Sequence, residues 1–353
     1  MSFLNRLLGR VAKDIGIDLG TANTLVYVKD RGIVINEPSV VAVNNRTDQI
    51  LAVGHEAQRM VGKTPAHILA IRPLVDGIIS DYEVTEKMLK YFMEKVRRER
   101  FSLLQRPRVV VSIPTEVTEV ERKAVEDVVR SCGAREVYLV EQPMAGAIGT
   151  RLAVQEPTAN MVVDIGGGTT EIAVISLAGI VTTRSLRLAG DELNKNIVQF
   201  AREQFNILLG ERVAEEIKIK VGSAAPLDVP LETTMRGRDL VSGLPKEVIV
   251  TDTQIRQAMA KTIRTMIEHI RAILEVTPPE LAADIYERGI VLLGGGALLR
   301  NLDVAISEAT QIPVRIADDP LTCVVRGTGI LLDNFEFLQN VAIPSSQELP
   351  YGA

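Results

Sequence analysis

The chain has 353 residues, 46% hydrophobic and 24% charged, with a net charge of -5; a length well beyond the ~100–200 residues of an ordinary domain predicts two lobes with real cores. The acidic balance excludes a global basic field for nucleic acid, and the lack of Trp with only 4% aromatics argues against a stacking platform for single strands. Cys132 and Cys323 stand in no metal-ligand spacing, which fits packing thiols in a reducing compartment; no run approaches the ~18 unbroken apolar residues of a membrane span, and Asn5, Arg6, Gly9 and Arg10 interrupt any signal-peptide core.

Taken in chain order, residues 1–13 read first as an amphipathic helix. Phe3, Leu4, Leu7, Leu8 and Val11 fall on one arc at helical spacing, flanked by Arg6, Arg10 and Lys13. Such a helix suits an anionic membrane surface; the other reading is a helix docked on its own lobe. The apolar strand from Ile15 to Asp18 then runs into the small-residue turn Leu19-Gly-Thr-Ala-Asn-Thr24, and a second strand follows from Leu25 to Val28. Residues 38–73 interrupt this unit and read as an inserted subdomain. Phe101, Leu103 and Leu104 form an apolar loop after the basic stretch Lys95 to Arg100, a second candidate membrane contact with burial as its alternative. Val109 to Ile113 is a buried-strand run. Thr118 and Glu121 have the spacing of a capping box at the start of a helix. Val137 to Val140 is the next strand, and Glu141-Gln-Pro143 opens another helix.

The second half repeats the first. Met161-Val-Val-Asp164-Ile-Gly-Gly-Gly-Thr-Thr170 aligns Asp164 with Asp18, Gly166 with Gly20 and Thr170 with Thr24, an offset of 146 residues (18 to 164). A strand follows from Ile172 to Ile175, and each copy then reaches a Gly-Ile-Val, at Gly32 and at Gly179. Residues 191–251 interrupt this copy, and the run from Gly222 to Gly243 reads as short strands and turns. Within them Glu215 and Lys218 share one helix face at i,i+3, on spacing alone a surface ion pair. Gly289 to Leu293 is a strand, followed by the loop Gly294-Gly-Gly-Ala297, a helix from about Leu298, the strand Val314 to Ile316, and Asp318-Asp-Pro320 opening a last helix. Strand–helix–strand–helix twice over predicts two duplicated α/β lobes that face each other, each with a mixed sheet.

Two glycine-rich hairpin tips facing each other make a phosphate clamp, because glycines let backbone N–H groups approach a polyphosphate. Asp18 and Asp164 would repel phosphate unless a magnesium ion lies between, held through its hydration shell. Gly294 to Ala297, between a buried strand and a helix, sits where ligands of α/β folds bind and fits the nucleoside end of the same nucleotide.

Asp18-Leu-Gly-Thr, Asp164-Ile-Gly-Gly-Gly-Thr and Gly294-Gly-Gly-Ala resemble the two phosphate loops and the adenosine loop of the actin, sugar-kinase and heat-shock-chaperone ATPases, and Glu141-Gln-Pro-Met-Ala-Gly-Ala resembles their first connecting helix. Within that superfamily the chain from Asp14 to about Leu338 is similar to the MreB family of filament-forming bacterial actins. The most specific matches are Ile17-Asp-Leu-Gly-Thr-Ala-Asn-Thr-Leu25, Asn36-Glu-Pro-Ser-Val40, Ile71-Arg-Pro-Leu-Val-Asp-Gly77 and Thr277-Pro-Pro-Glu-Leu281. The resemblance implies an α/β actin-like fold: two duplicated RNase H-like lobes with inserted subdomains and an interlobe nucleotide cleft. Lobe I would comprise residues 14–37, 74–147 and 318–353 with 38–73 inserted, and lobe II residues 148–190 and 252–317 with 191–251 inserted, after a membrane-binding segment at 1–13. It further implies ATP and Mg2+ as cofactors. Thr21, Ala22, Asn23, Gly166, Gly167, Gly168 and Thr169 would contact phosphates. Glu215, Glu216, Ile217 and Lys218 would line the adenosine pocket with Gly294, Gly295, Gly296 and Ala297. Asp18 and Asp164 would hold the metal through water. Glu141 would orient the attacking water, with Thr169 and Asp164 completing the catalytic set. On residues alone, Glu141 at a helix start also reads as a cap.

The resemblance implies slow ATP hydrolysis timing a polymerisation switch, with head-to-tail filaments, paired antiparallel, on the inner face of the cell membrane. Partners would be the chain itself, the anionic membrane surface, and the cell-wall elongation machinery with its transmembrane components, in a role that organises wall synthesis and rod shape. A chaperone would need a substrate domain beyond the two lobes, and a metabolite kinase a sugar-binding base, for which no motif stands. The remaining alternative is a non-polymerising membrane adaptor ATPase of the same superfamily.

Overall fold

The computed structural model describes residues 13–98 and 106–344. The candidate membrane residues Phe3, Leu4, Leu7, Leu8, Val11, Phe101, Leu103 and Leu104 lie outside the described residues. The chain divides into two compact units, Met1–Glu156 with Leu177–Gly179 and Thr322–Ala353, and Pro157–Ser176 with Ile180–Leu321.

In the first unit β1 (Ile15–Leu19), β2 (Asn23–Val28) and β3 (Gly32–Pro38) form a meander, followed by a small sheet of β4 (Val41–Asn44), β5 (Gln49–Val53) and, after α1 (His55–Met60), β6 (Ile68–Ile71). A two-stranded hairpin, β7 (Leu74–Val75) and β8 (Ile78–Ile79), leads to α2 (Tyr82–Arg98), then β9 (Arg108–Ile113), α3 (Glu119–Ser131), β10 (Glu136–Glu141) and α4 (Gln142–Gly149). The main sheet runs β10-β9-β1-β2-β3, with β1, β9 and β10 parallel and β1–β2 antiparallel. Its central strands are covered on both faces, which is why Val109, Val110 and Val111 form an unbroken apolar run with no exposure at all.

The second unit repeats this layout. β11 (Asn160–Ile165), β12 (Thr170–Ser176) and β13 (Gly179–Leu186) are followed by α5 (Gly190–Phe205), β14 (Ile207–Leu208), α6 (Glu211–Val221), the hairpin β15 (Glu232–Asp239) and β16 (Pro245–Thr251), α7 (Asp252–Val276), α8 (Pro279–Arg288) and β17 (Ile290–Leu293). A 3-10 turn (Gly295–Leu298), α9 (Leu302–Thr310) and β18 (Val314–Ile316) complete it. Read from the other edge, the sheet order β18-β17-β11-β12-β13 matches the first strand for strand, with β11–β17 and β17–β18 parallel and β11–β12 antiparallel. The two hairpins even close alike: Gly20 N–H donates to Asn23 O at 3.1 Å, and Gly166 N–H to Thr169 O at 2.8 Å. Each unit has its own apolar core.

Several local expectations are met at atomic detail. Thr118 caps α3: its Oγ1 accepts from Glu121 N–H at 3.3 Å, while its own N–H donates to Glu121 Oε2 at 2.7 Å. Others shift. The glycine loop after β17 tightens into a 3-10 turn, and regular helix begins only at Leu302. After Asp318-Asp-Pro320 the helix α10 (Cys323–Asp333) begins at Cys323, and a further helix, α11 (Phe335–Val341), follows it. The run from Gly222 to Gly243 contains one long strand, β15, rather than several short ones. Its turn to β16 is organised by Asp239, whose Oδ1 accepts from the N–H groups of Val241 and Ser242 at 2.9 and 2.8 Å. That is a side chain mimicking a backbone turn.

α4 and α10 cross almost backbone to backbone in the first unit. A Cβ at Gly149 would run into the Cys323 carbonyl, and one at Gly327 into the Ala145 carbonyl. Beyond α11, Ile343 pairs with Leu139 and covers part of the β10 edge.

Candidate functional site

The first glycine turn joins β1 to β2 at the carboxyl end of the parallel strands. There the register sets Asp18 beside Ser112 on β9, and Glu141 beside Ile113 one strand further out. Ser112 Oγ donates to Asp18 Oδ1 at 2.8 Å. Burial raises the Asp18 carboxyl to about 6, against hydrogen bonds from Ser112 and Gln142 that pull it down. Both bonds favour the carboxylate, so burial outweighs them, although Asp18 as a whole is only half-buried. Glu141 ends β10 and precedes α4, and it makes no side-chain capping bond to that helix. Thr21 is buried, and its Oγ1 accepts from Gly77 N–H at 2.8 Å, which leaves its hydroxyl proton to donate elsewhere. The donor sits in the tight turn between β7 and β8, where Asp76 and Gly77 both have positive φ and a primed hairpin turn follows. Ala22 and Asn23 complete the tip of the β1–β2 hairpin.

In the second unit, Gly166, Gly167, Gly168 and Thr169 connect β11 to β12. Gly190 N–H donates to Gly166 O at 3.1 Å and Asp191 N–H to Gly167 O at 2.8 Å, so the first amides of α5 close on the loop from behind. Lys218 Nζ donates to Gly190 O at 2.9 Å. The lysine thus sets its positive charge within reach of the glycine loop. Gly294 has φ +75°, and a Cβ there would run into the Asp164 carboxylate; one at Gly296 would run into Ile165. The third glycine loop can therefore lie close on the carboxyl end of β11, with Gly294 against Asp164, Gly296 against Ile165 and Ala297 buried behind them. Glu215 shares the α6 face of Lys218. Ile217 points its side chain into the core, 2% exposed, and Glu216 forms a surface pair with Arg212 at 3.1 Å.

Ser112 and Gln142 escaped the sequence reading. Each is a buried polar group, and the signal was a lone serine inside Val109-Val-Val-Ser-Ile113 and a glutamine in an otherwise apolar helix start. The described flanks of the two candidate membrane segments also meet. β1 and β9 start side by side, Ile15 opposite Val109, and Arg108 N–H donates to Asp14 Oδ1 at 3.1 Å. Asp14 and Arg108 thus lie side by side at the amino ends of neighbouring strands, the end opposite Asp18 and Glu141. Among the described residues no helix is long and apolar enough to cross a membrane.

Comparison with known proteins follows the same lines. The MreB/Mbl protein family model matches residues 12–340. Cell shape-determining protein Mbl of Bacillus subtilis (strain 168) is 48% identical over 327 residues, covering 93% of this chain and 98% of its own. Cell shape-determining protein MreB of Escherichia coli (strain K12) is 49% identical over 334 residues, covering 94% and 96%. MreB5 of Spiroplasma citri, solved with ADP and with AMPPNP, superimposes with TM-scores of 0.88 and 0.89 at 38% identity, covering 94% and 92% of this chain and 98% and 97% of its own. The fold is actin-like.

Proposed function

Because the chain belongs to the MreB/Mbl protein family, we propose that it is an ATP-binding cytoskeletal protein that polymerises on the inner face of the cell membrane and maintains cell shape. One observation carries this reading. Two equivalent hairpin tips, each closed by the same glycine amide bond and each preceded by an aspartate, stand at the carboxyl ends of two equivalent sheets. A turn of this kind binds anions, and its duplication suits the phosphates of a nucleotide. The ADP and AMPPNP held by MreB5 and the cell-shape role named for the Mbl and MreB relatives agree with it.

In this reading Thr21, Ala22 and Asn23 donate to the phosphates from the first loop, and Gly166, Gly167, Gly168 and Thr169 from the second. Lys218 and Glu215 stand with Gly294, Gly295, Gly296 and Ala297 at the nucleoside. The oxygens of Asp18 and Asp164 suit Mg2+ with its water shell retained; the ion would offset phosphate charge. Glu141 accepts a hydrogen bond from the attacking water and aligns it with the terminal phosphate, and Thr169 steadies the same water. Such chemistry needs position and charge rather than a strong base. A half-buried Glu141 at the carboxyl end of β10 fits that task, and the reading predicts slow turnover. Hydrolysis would then time filament disassembly.

Polymerisation is head to tail, with filaments paired antiparallel. A contact of this kind that does not close generates filaments. Membrane attachment runs through residues 1–13 and the Phe101 loop; the adjacency of Asp14 and Arg108 in the first unit supports this reading. Many weak helices along a filament bind by avidity. The cell-wall elongation machinery and its transmembrane components are the partners. Electron microscopy of the purified protein on anionic lipid tests this. Paired filaments that need Mg-ATP, and that leave the lipid when residues 1–11 are deleted, are expected. ATP binding with no filaments at any salt or protein concentration would instead indicate a non-polymerising adaptor.

A further inference from the structure

Asn36-Glu-Pro-Ser-Val40 has no role in the site as built so far, yet its serine lies directly behind the first glycine turn. Ser39 is fully buried. Its Oγ donates to Gly20 O at 2.6 Å, and its N–H donates to Ala22 O at 2.9 Å. Its Oγ also lies 2.9 Å from Thr24 Oγ1. With the Ser39 proton given to Gly20, the Thr24 hydroxyl is the donor in that pair. One residue thus holds the carbonyls of two peptide units in the turn.

A trans peptide is planar, with C=O and N–H on opposite sides. The unit carrying Gly20 O also carries Thr21 N–H, and the unit carrying Ala22 O also carries Asn23 N–H. Turning both carbonyls onto Ser39 turns both N–H groups away from it. The second turn is built in the same way from different parts. Gly166 O and Gly167 O are held by the Gly190 and Asp191 N–H groups of α5, which directs the Gly167 and Gly168 N–H groups away from that helix. What a helix start does for the second turn, a single buried serine does for the first.

We propose that Ser39 is a positioning residue for phosphate binding: it orients the Thr21 and Asn23 amides as anion donors while touching no ligand itself. This rests on the reading of the site as a nucleotide site. Without the hydroxyl, the Gly20–Thr21 peptide is free to rotate and its amide is no longer preorganised. The effect belongs to phosphate-bearing ligands and not to the nucleoside, which the second unit's Gly294 loop would contact.

The test measures equilibrium affinity for Mg-ATP, Mg-ADP and adenosine, by competition against a fluorescent ATP analogue, in the full chain and in Ser39→Ala and Ser39→Cys. Ser39→Ala nearly keeps the volume, whereas Ser39→Cys puts a larger and much weaker donor in the same place, so the two differ in packing but share the weakened hydrogen bond, and a thermal melt of each checks that it folds. Expected is a loss of about tenfold for ATP and ADP in Ser39→Ala and about threefold in Ser39→Cys, with adenosine unchanged, as befits the loss of one buried hydrogen bond. Equal losses for all three ligands, or a lower melting temperature with ATP affinity intact, would overturn the assignment and leave Ser39 a packing residue. Failure of the unaltered chain to bind Mg-ATP would overturn the nucleotide reading itself, and this proposal with it.

Discussion

The charge state of Asp18 depends strongly on its surroundings. Unfolded, its carboxyl ionises near the ordinary 3.8; folded, burial lifts it to about 6. Between those values the folded chain holds the extra proton, so this group makes the protein less stable as pH rises through that window. Metal binding carries the opposite sign, since magnesium needs the carboxylate. Affinity for Mg-ATP should therefore fall by up to about tenfold per pH unit below about 6, and Asp18→Asn should bind weakly with no such dependence. A titration of affinity against pH in both proteins checks this; a flat profile in the unaltered chain would remove Asp18 from the metal site. Cys132 behaves in the reverse manner of a reactive thiol. It is buried, and that burial pushes it up to about 11, with Ser131 and nearby cations pulling it only partly back. The folded protein should leave Cys132 unalkylated by iodoacetamide at about pH 8, while the denatured chain reacts, because the thiolate is the nucleophile. Mass spectrometry of the labelled peptide decides it.

At the scale of elements, the α4–α10 crossing is where packing is least forgiving. The two helices approach so closely that a methyl at Gly327 meets a backbone carbonyl rather than a flexible side chain. Gly327→Ala should cost about 3 kcal/mol, the upper range for overpacking a core, and lower the melting temperature by about 5 °C or more. The capping box at the start of α3 gives a calibrated contrast. Thr118→Ala removes the acceptor for Glu121 N–H and should cost about 1 kcal/mol, read from the same thermal melts. A larger loss at Thr118 than at Gly327 would mean that the crossing can relax. The capping box was legible because its two residues stand three apart in the chain. The crossing was not: Gly149 and Gly327 are glycines inside helices, and nothing in either helix alone says that the other's carbonyl lies against it.

At the scale of the whole molecule, two units built on one plan each keep a separate core, one around Ile17, Phe92 and Val111 and one around Val163, Ile197 and Leu292. A nucleotide bound by the folded chain stabilises it by mass action, by about 2.7 kcal/mol at a hundred times the dissociation constant. Calorimetry with Mg-ATP should show that shift, and adenosine at the same concentration should show little of it. The sequence by itself determined the duplication, four of the five strands of each main sheet and the glycine turns between them; β3 and β13 were marked only by their Gly-Ile-Val starts. Those signals are local: a buried parallel strand must be continuously apolar, and a hairpin tip that admits phosphate must be small. Only the tertiary structure decided what surrounds each turn. Ser112 and Gln142 reach Asp18 from strands and helices about a hundred residues away, Lys218 reaches Gly190, and Ser39 stands behind the first loop. Such contacts are set by strand register and by which helix covers which sheet end, and these depend on pairings between distant segments that leave no periodic trace in the chain.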